Sequence, residues 1–295
     1  MFNGVEVIVV SSALRLGYAP PLDWEAMMRY LAARAIHGVE HAAGGKYRRT
    51  ITIDGDAAVL EIAPGGDTWL DLRVHGPQSS GEAHVVKQAR DIFSLDADLD
   101  TANRHLATDP LLAPLIATRP GLRVPGTWDG YELGVRAIIG QQVSVAGAST
   151  IAARLVERHG APVPDVEGYG LSHTFPPPAM LARADMNGIG LTSARTAAIQ
   201  NFAAAVRDGS VHLDRAAPCD ELVDSLVAIA GVGHWTAHYI ALRMGVADAF
   251  PSTDLGLRRA LERLSSTVTT PAVLARRAES WRPWRAQAAM HLWLS

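Results

Sequence analysis

The chain has 295 residues and a formal net charge of −3 at pH 7, and 48% of its residues are apolar. This length allows one to three domains with a sizeable hydrophobic core. No apolar run approaches the roughly 18 residues that span a membrane. The short run at residues 5–10 also lacks the basic start of a signal peptide. We therefore expect a cytoplasmic protein without a membrane partner.

Metal and disulfide chemistry is poorly supported by the residue counts. The one cysteine, Cys219, cannot form an internal disulfide, a cysteine-rich metal site or a four-cysteine iron–sulfur cluster. The eleven histidines are scattered along the chain. His234 and His238 share a helix face, but no further ligand and no adjacent glutamate accompany them. We predict no metal-ligating side-chain site.

The first 98 residues are predicted to form a mixed α/β region. Asp23 is placed to cap a helix over residues 24–36. Three strand-like runs follow at 47–53, 57–62 and 68–74, separated by Asp54-Gly55 and by the turn residues 64–67. A helix over 80–93 completes the region, and the run at 5–10 is either an edge strand or a leftover upstream segment. The expected fold class is α+β, with an N-terminal antiparallel β-sheet over residues 1–98.

Residues 99–295 are predicted to form an all-helical body. Proline- and glycine-rich breaks separate stretches of helical periodicity. The predicted helices are 131–140, 144–159, 178–184, 192–208, 220–229, 234–244, 255–264, 271–280 and 283–294.

The end of the chain is basic although the whole is acidic. From residue 256 onward, seven arginines face two glutamates, so this segment carries a local charge of +5: Arg258, Arg259, Arg263, Arg276, Arg277, Arg282 and Arg285 against Glu262 and Glu279. Such a segment is either a phosphate-binding face or an ordinary solvated helix face.

A glycine turn between two helices lies at about 220–245. An apolar helix ends at Ala230, Gly231-Val232-Gly233 follow, and a second helix starts at once with His234. Glycines let the backbone approach a partner closely, and the amides of a new helix favour an anion such as a DNA phosphate. Without further context, the same residues also fit a simple tight turn between helices.

Asp254 follows this turn by about twenty residues. It stands in Pro251-Ser252-Thr253-Asp254, at the predicted start of the next helix. Its residue type and position are typical of a helix N-cap, which is the plain structural interpretation of this residue.

Taken together, the glycine turn and Asp254 resemble the helix-hairpin-helix superfamily of base-excision DNA glycosylases. Three further stretches resemble its bacterial inducible DNA-3-methyladenine glycosylase II family: residues 119–126, residues 135–145, and Trp281-Arg282-Pro283-Trp284-Arg285 with His291-Leu292-Trp293. The resemblance extends from about Asp23 to the end of the chain and is strongest from Arg119 onward.

The resemblance implies a monofunctional DNA glycosylase that flips alkylated purines, such as 3-methyladenine and 7-methylguanine, out of double-stranded DNA and hydrolyses their glycosidic bonds. Asp254 is the implied catalytic residue. Trp235, Tyr239, Trp293 and Tyr30 are the implied base pocket, in which aromatic faces favour electron-poor or cationic bases. Trp235 stands where bifunctional relatives have a nucleophilic lysine, and no lysine follows Lys87. Hydrolysis without strand cleavage is therefore expected.

Four residues are expected to contact DNA. Gly231 and Gly233 present hairpin amides to a phosphate. Gln141 and Gln142 occupy the turn that fills the gap left by the flipped base, with Gln142 where the family commonly has a leucine. No cofactor is required, although the family implies a structural monovalent cation on the hairpin backbone.

Other functions stay open at this point. One alternative is a non-enzymatic helix-hairpin-helix DNA-binding module, and another is a glycosylase for a different damaged purine. We expect a monomer without an obligate protein partner, associated with the nucleoid. Some relatives are fused to alkyl-transfer regulators, and the first fifteen residues are open to interpretation as a remnant of such a junction.

Overall fold

A computed structural model describes residues 9–10, 13–76, 81–163 and 168–295. Within them, the strands form one antiparallel sheet in the order β1-β6-β5-β4-β3, and β2 pairs with β6 as well. The strands are β1 (Val9–Val10), β2 (Leu14–Gly17), β3 (Glu40–Ala43), β4 (Lys46–Ile53), β5 (Asp56–Gly66) and β6 (Trp69–Gly76).

The turn predicted at Asp54-Gly55 is confirmed. Ile53 pairs with Asp56, so Asp54 and Gly55 alone connect β4 to β5. Both have positive φ, 54° and 93°, which is the backbone that a two-residue hairpin needs. The sheet is larger than the three predicted strands, because β2 and β3 were not predicted. Of the run at 5–10, Val9–Val10 pairs with β6, and its other residues lie outside the described ones.

Helices account for most of the remaining described chain. They are α1 (Trp24–Arg34), α2 (Glu82–Ile92), α3 (Leu99–Leu106), α4 (Ala113–Thr118), α5 (Gly130–Ile139), α6 (Val145–His159), α7 (Pro178–Leu181), α8 (Ser193–Arg207), α9 (Cys219–Val227), α10 (His234–Arg243), α11 (Leu255–Ser265), α12 (Pro271–Ala278) and α13 (Arg285–Trp293). None of the described helices combines the length and apolar character that a bilayer crossing requires.

Two hydrophobic cores hold these elements together. In the first, one face of the sheet packs against α1 and α2, through residues such as Leu60, Leu72, Leu31 and Ile92. In the second, the helices surround α5 and α13, which are buried nearly all round. The α+β architecture predicted from the sequence is confirmed, while the predicted domain boundary after residue 98 stays a prediction.

A buried set of charges joins the sheet to the helical body. Arg49 on β4 donates to Glu132 on α5 at 2.6 Å, and Arg136 donates to Glu132 at 2.9 Å. Arg136 also donates to Glu40 on β3 at 2.8 Å, and Glu40 accepts the Tyr47 hydroxyl at 2.7 Å. Each buried guanidinium therefore meets a carboxylate, which is how a low-dielectric interior tolerates charge. We call these five residues the charge junction.

Candidate active site

A cavity of about 1360 Å³ opens between α1, the turn after α5, the hairpin between α9 and α10, the start of α11 and the end of α13. All nine predicted site residues lie on its wall: Asp254, Trp235, Tyr239, Trp293, Tyr30, Gln141, Gln142, Gly231 and Gly233. They come from five separate parts of the chain, so the fold assembles them.

Asp254 is the N-cap of α11 and also a wall residue of the cavity. Its Oδ1 accepts the Leu257 amide at 2.8 Å, as the sequence predicts for a cap, and the Trp293 indole N–H at 2.9 Å. Its Oδ2 accepts the Trp235 indole N–H at 2.8 Å. All three donors are uncharged. A carboxylate offers about four acceptor positions, so one is left for a ligand or water.

The aromatic residues form a connected wall around this carboxylate. The rings of Trp235 and Tyr239 stack at 5.3 Å between centroids and 9° between planes. Trp293 meets Tyr239 edge-on, at 6.4 Å and 64°. Each tryptophan therefore has two contacts, one with the Tyr239 ring and one with Asp254. The predicted stacking surfaces also orient the predicted catalytic group.

Arg243 belongs to this wall, and the sequence interpretation missed it. Its Nη1 donates to the hydroxyls of Tyr30 at 2.7 Å and Tyr239 at 2.9 Å, while its other nitrogens donate to the carbonyls of Pro125 and Gly126. The signal was spacing, since Arg243 lies one helical turn after Tyr239 on the same face of α10.

The two tyrosines titrate in opposite directions. Burial raises the pKa of Tyr30 to about 12, although the charge of Arg243 acts against this rise. Burial also disfavours ionised Tyr239, but the charges of Arg243 and Arg34 and the hydrogen bonds from Tyr30 and Arg243 outweigh it. They lower the pKa of Tyr239 to about 8.

The two hairpin glycines serve different purposes. Gly231 has a φ of 95°, and a Cβ there would lie 2.3 Å from Ala198 Cβ, so the fold itself requires this glycine. Gly233 has a φ of −90°, and a Cβ there would meet nothing within 4 Å. Close packing inside the chain therefore explains Gly231 but not Gly233.

The two glutamines also differ. The Gln141 amide donates to the Gly231 carbonyl and to the Thr236 hydroxyl, both at 3.1 Å, and so ties the turn to the hairpin. Gln142 is exposed and has a φ of 56°, a conformation uncommon for residues other than glycine. Of the two side chains, Gln142 is the one that projects from the turn.

Three of the seven arginines in the basic C-terminal segment pair with carboxylates of the chain. Arg277 pairs with Asp109, and both Arg282 and Arg285 pair with Asp248. Backbone carbonyls accept hydrogen bonds from Arg258 and Arg263. Two further arginines, Arg259 and Arg276, are exposed. Asp109 and Asp248 therefore offset part of the local charge of +5, and the choice between a phosphate-binding face and an ordinary solvated face stays a prediction. Across the described residues, no group of three or more His, Cys, Asp or Glu side chains is arranged to hold a metal.

Comparisons with known proteins agree with this arrangement. Residues 13–129 match the AlkA N-terminal domain, and residues 135–286 match the HhH-GPD superfamily base excision DNA repair protein family. The chain is 32% identical to DNA-3-methyladenine glycosylase 2 of Escherichia coli, over 94% of this chain and 95% of that protein.

A longer relative is the probable bifunctional transcriptional activator/DNA repair enzyme AlkA of Mycobacterium tuberculosis. It is 37% identical over 95% of this chain, which spans 56% of that protein's length. The solved 3-methyladenine DNA glycosylase of Archaeoglobus fulgidus shares the fold, with a TM-score of 0.83 at 23% identity over 95% of this chain and 97% of that one. The chain therefore belongs to the HhH-GPD superfamily of base excision DNA repair proteins, in the family of DNA-3-methyladenine glycosylase 2.

Proposed function

We propose that this chain is a DNA glycosylase that flips an alkylated purine out of double-stranded DNA and hydrolyses its N-glycosidic bond. A base inside a duplex cannot be reached, so the nucleotide has to enter a cavity. The observation that carries the proposal is Asp254, an acidic side chain held on the cavity wall by three uncharged donors. Because no cation among the described residues offsets it, the negative charge of Asp254 can act on a nucleotide that enters the cavity.

The chemistry needs a fixed negative charge beside the sugar. As the base leaves, positive charge grows on the deoxyribose, and a preorganised anion stabilises it. The indoles of Trp235 and Trp293 fix the Asp254 carboxylate from two sides, which limits reorganisation during the reaction. The remaining acceptor position on the carboxylate suits the attacking water.

The aromatic wall supports alkylated purines as the substrate class. Alkylated purines are electron-poor or cationic, and each favourable contact with an aromatic face contributes about 0.5–2 kcal/mol. Alkylation also weakens the glycosidic bond, so modest recognition suffices. We infer a broad range that includes 3-methyladenine and 7-methylguanine.

The hairpin is the proposed anchor on the DNA backbone. The first amides of α10 have no partner within the helix, and the helix dipole favours a phosphate there. Gly233 supports this role, because open space surrounds its missing side chain and a phosphate can approach the bare backbone. The carbonyls of Ala230 and Gly231 accept side-chain amides of Asn201 and Gln141. Each keeps a second lone pair, which suits the monovalent cation that the family implies.

We further propose that the chain lacks lyase activity. A Schiff-base nucleophile requires a lysine near the hairpin, and the chain has none after Lys87. The product would be an intact abasic strand that breaks only after alkali. The substrate is duplex DNA, so we place the activity in the cytoplasm at the nucleoid, and nothing in the proposed reaction needs a protein partner.

Asp254→Asn is the decisive test. Asn is also a good N-cap, so α11 and DNA affinity are expected to persist, while release of free base from methylated duplex falls by about 10²–10³-fold or more. On a single-lesion duplex, release of the free base is measured directly, and strand breakage is measured with and without alkali. Full release by Asp254→Asn would contradict the mechanism. Binding without release by the unaltered chain would indicate a DNA-binding module instead.

A further inference from the structure

Arg243, Tyr30 and Tyr239 form a closed triangle of polar contacts on the cavity wall. Arg243 Nη1 donates to both hydroxyls, and the two hydroxyl oxygens lie 3.2 Å apart. Arg243 is buried, and its remaining hydrogen-bond partners are the carbonyls of Pro125 and Gly126. All of its acceptors are neutral, so its positive charge acts on the phenols without a carboxylate to offset it.

Counting donors and acceptors limits where the hydrogens of this triangle can lie. A guanidinium only donates, so both phenol oxygens accept from Arg243. One phenol hydrogen can lie between the two oxygens, and the other has to point out of the triangle. Burial raises the pKa of Tyr30 to about 12, so when Tyr239 is ionised Tyr30 keeps its proton and donates to the phenolate oxygen. When both phenols are protonated, either can donate to the other, and the arrangement in which Tyr30 donates leaves the hydrogen of Tyr239 free for a ligand.

Charged groups approach Tyr239 from every element packed around it. Helix α1 brings the Arg34 guanidinium, 3.7 Å above the Tyr30 ring. Helix α5 brings Arg136, which is already paired with carboxylates of the charge junction. The start of α11 brings the carboxylate of Asp254, which is joined to Trp235 by a hydrogen bond. The other charged wall residues are Asp23, Arg29, Arg119 and Arg123.

We propose that Tyr239 selects between neutral and positively charged purines by its own protonation state. Its hydroxyl donates a hydrogen bond to a neutral base, and its phenolate pairs with a cationic base. The proposal rests on the proposed function, because it requires that the cavity receives a purine.

Charge balance gives the reason for this selection. With Tyr239 protonated, the triangle carries the full charge of Arg243, which repels a cationic base and strengthens a hydrogen bond to a neutral one. With Tyr239 ionised, Arg243 and the phenolate cancel, so a cationic base meets no repulsion and a neutral base loses its donor. The positive charges of Arg243 and Arg34, with the hydrogen bonds from Tyr30 and Arg243, outweigh burial and lower the pKa of Tyr239 to about 8. Both protonation states are therefore accessible near neutral pH.

The first experiment needs no DNA. Phenolate absorbance of the intact chain is followed from about pH 6 to pH 10, in parallel with Tyr239→Phe, Tyr30→Phe and Arg243→Gln. We expect a phenolate with a midpoint near pH 8 that is missing from Tyr239→Phe. In Tyr30→Phe it persists with a higher midpoint, because one donor is lost. In Arg243→Gln it moves towards the ordinary value of 10.0.

The second experiment measures single-turnover excision from duplexes with one 1,N6-ethenoadenine, which is neutral, or one 3-methyladenine, which is cationic and has no ring N–H to lose. Each rate is divided by that of Tyr239→Phe at the same pH, which removes the pH dependence that the two enzymes share. For the neutral base, the quotient should fall about tenfold per pH unit above pH 8. For the cationic base, it should rise through pH 8 and then level off.

The outcomes separate this inference from the function beneath it. Excision of neither base would overturn the proposed function while leaving the phenolate titration intact. Excision of both with flat quotients, or a phenolate near pH 8 that survives in Tyr239→Phe, would overturn the role of Tyr239 and leave the glycosylase proposal standing.

Discussion

The charge junction and the cavity both bury charged side chains, but they compensate them in different ways. In the charge junction, guanidinium and carboxylate groups meet directly at 2.6–2.9 Å. In the cavity, Asp254 is held by two indoles and an amide, and Arg243 by carbonyls and phenols. One region cancels its charges internally, and the other keeps them uncancelled.

This difference separates stability from chemistry. A buried ion pair has little field left beyond itself, and losing one partner leaves the other charge stranded. A charge held by neutral groups costs more to bury, yet it acts at full strength on a ligand in a water-poor cavity. Variants of the charge junction should therefore change stability, and variants of the cavity should change activity.

The largest expected effect is on stability, in Glu132→Ala. The substitution leaves the buried charge of Arg49 without its carboxylate partner and removes one of the two carboxylates that pair with Arg136. The free energy of unfolding should therefore fall by about 3–5 kcal/mol. Urea unfolding followed by circular dichroism measures it. The matched control is Asp100→Ala, which breaks an exposed pair with Arg104 and should lose less than about 1 kcal/mol. Equal losses would mean that burial adds nothing to the effect of the Glu132 pairs on stability.

The second prediction concerns Trp293→Phe. Phenylalanine keeps an aromatic ring beside Tyr239 but removes the N–H that holds Asp254. A hydrogen bond to a charged group contributes about 1.5–3 kcal/mol to stability, so the free energy of unfolding should fall by no more than this. Misplacement of Asp254 should slow single-turnover excision by about 100-fold. Trp284→Phe, away from the cavity wall, is the control and should keep its rate. If Trp293→Phe excises at the unaltered rate, the indole does not position Asp254.

The third prediction uses His291, a buried side chain that carries no charge at neutral pH. Burial, and after it the charge of Arg119, lowers its pKa to about 4. Unfolded histidine titrates near 6.5, so as pH falls the unfolded chain takes up this proton first. The contribution of His291 to stability is complete above about pH 6.5 and is lost as pH falls towards 4.

Between pH 7 and pH 5 this loss should reach about 2 kcal/mol, measured by urea unfolding at both values. His291→Gln cannot take up the proton and should lose correspondingly less over the same interval. The exposed His212→Gln serves as the control and should behave as the unaltered chain. If His291→Gln loses as much stability between pH 7 and pH 5 as the unaltered chain, groups other than His291 cause the loss.

Local chemistry explains which features were predictable. The Asp54-Gly55 hairpin and the N-caps Asp23 and Asp254 depend on neighbouring residues alone, and the structure has all three. Strand β2 was missed because its partner β6 lies more than fifty residues further along the chain. Strand β3 pairs with β4 across the two-residue turn Gly44-Gly45, so a local signal was present there and was overlooked. Arg243 was missed for the same reason as β2, since its oxygen partners include Pro125 and Tyr30, more than a hundred residues away in the chain.

The smallest expected effect belongs to Gln142, which lies on the rim and touches neither buried charge. If its side chain fills the gap left by the flipped base, Gln142→Ala should slow excision from a duplex by roughly fivefold, about one hydrogen bond. Excision from single-stranded DNA should not change, because no gap forms there. Gln142→Asn keeps a shorter amide and tolerates the positive φ, so it should lie between the two. Equal slowing on both substrates would mean that Gln142 acts on the cavity itself and does not fill the gap in the duplex.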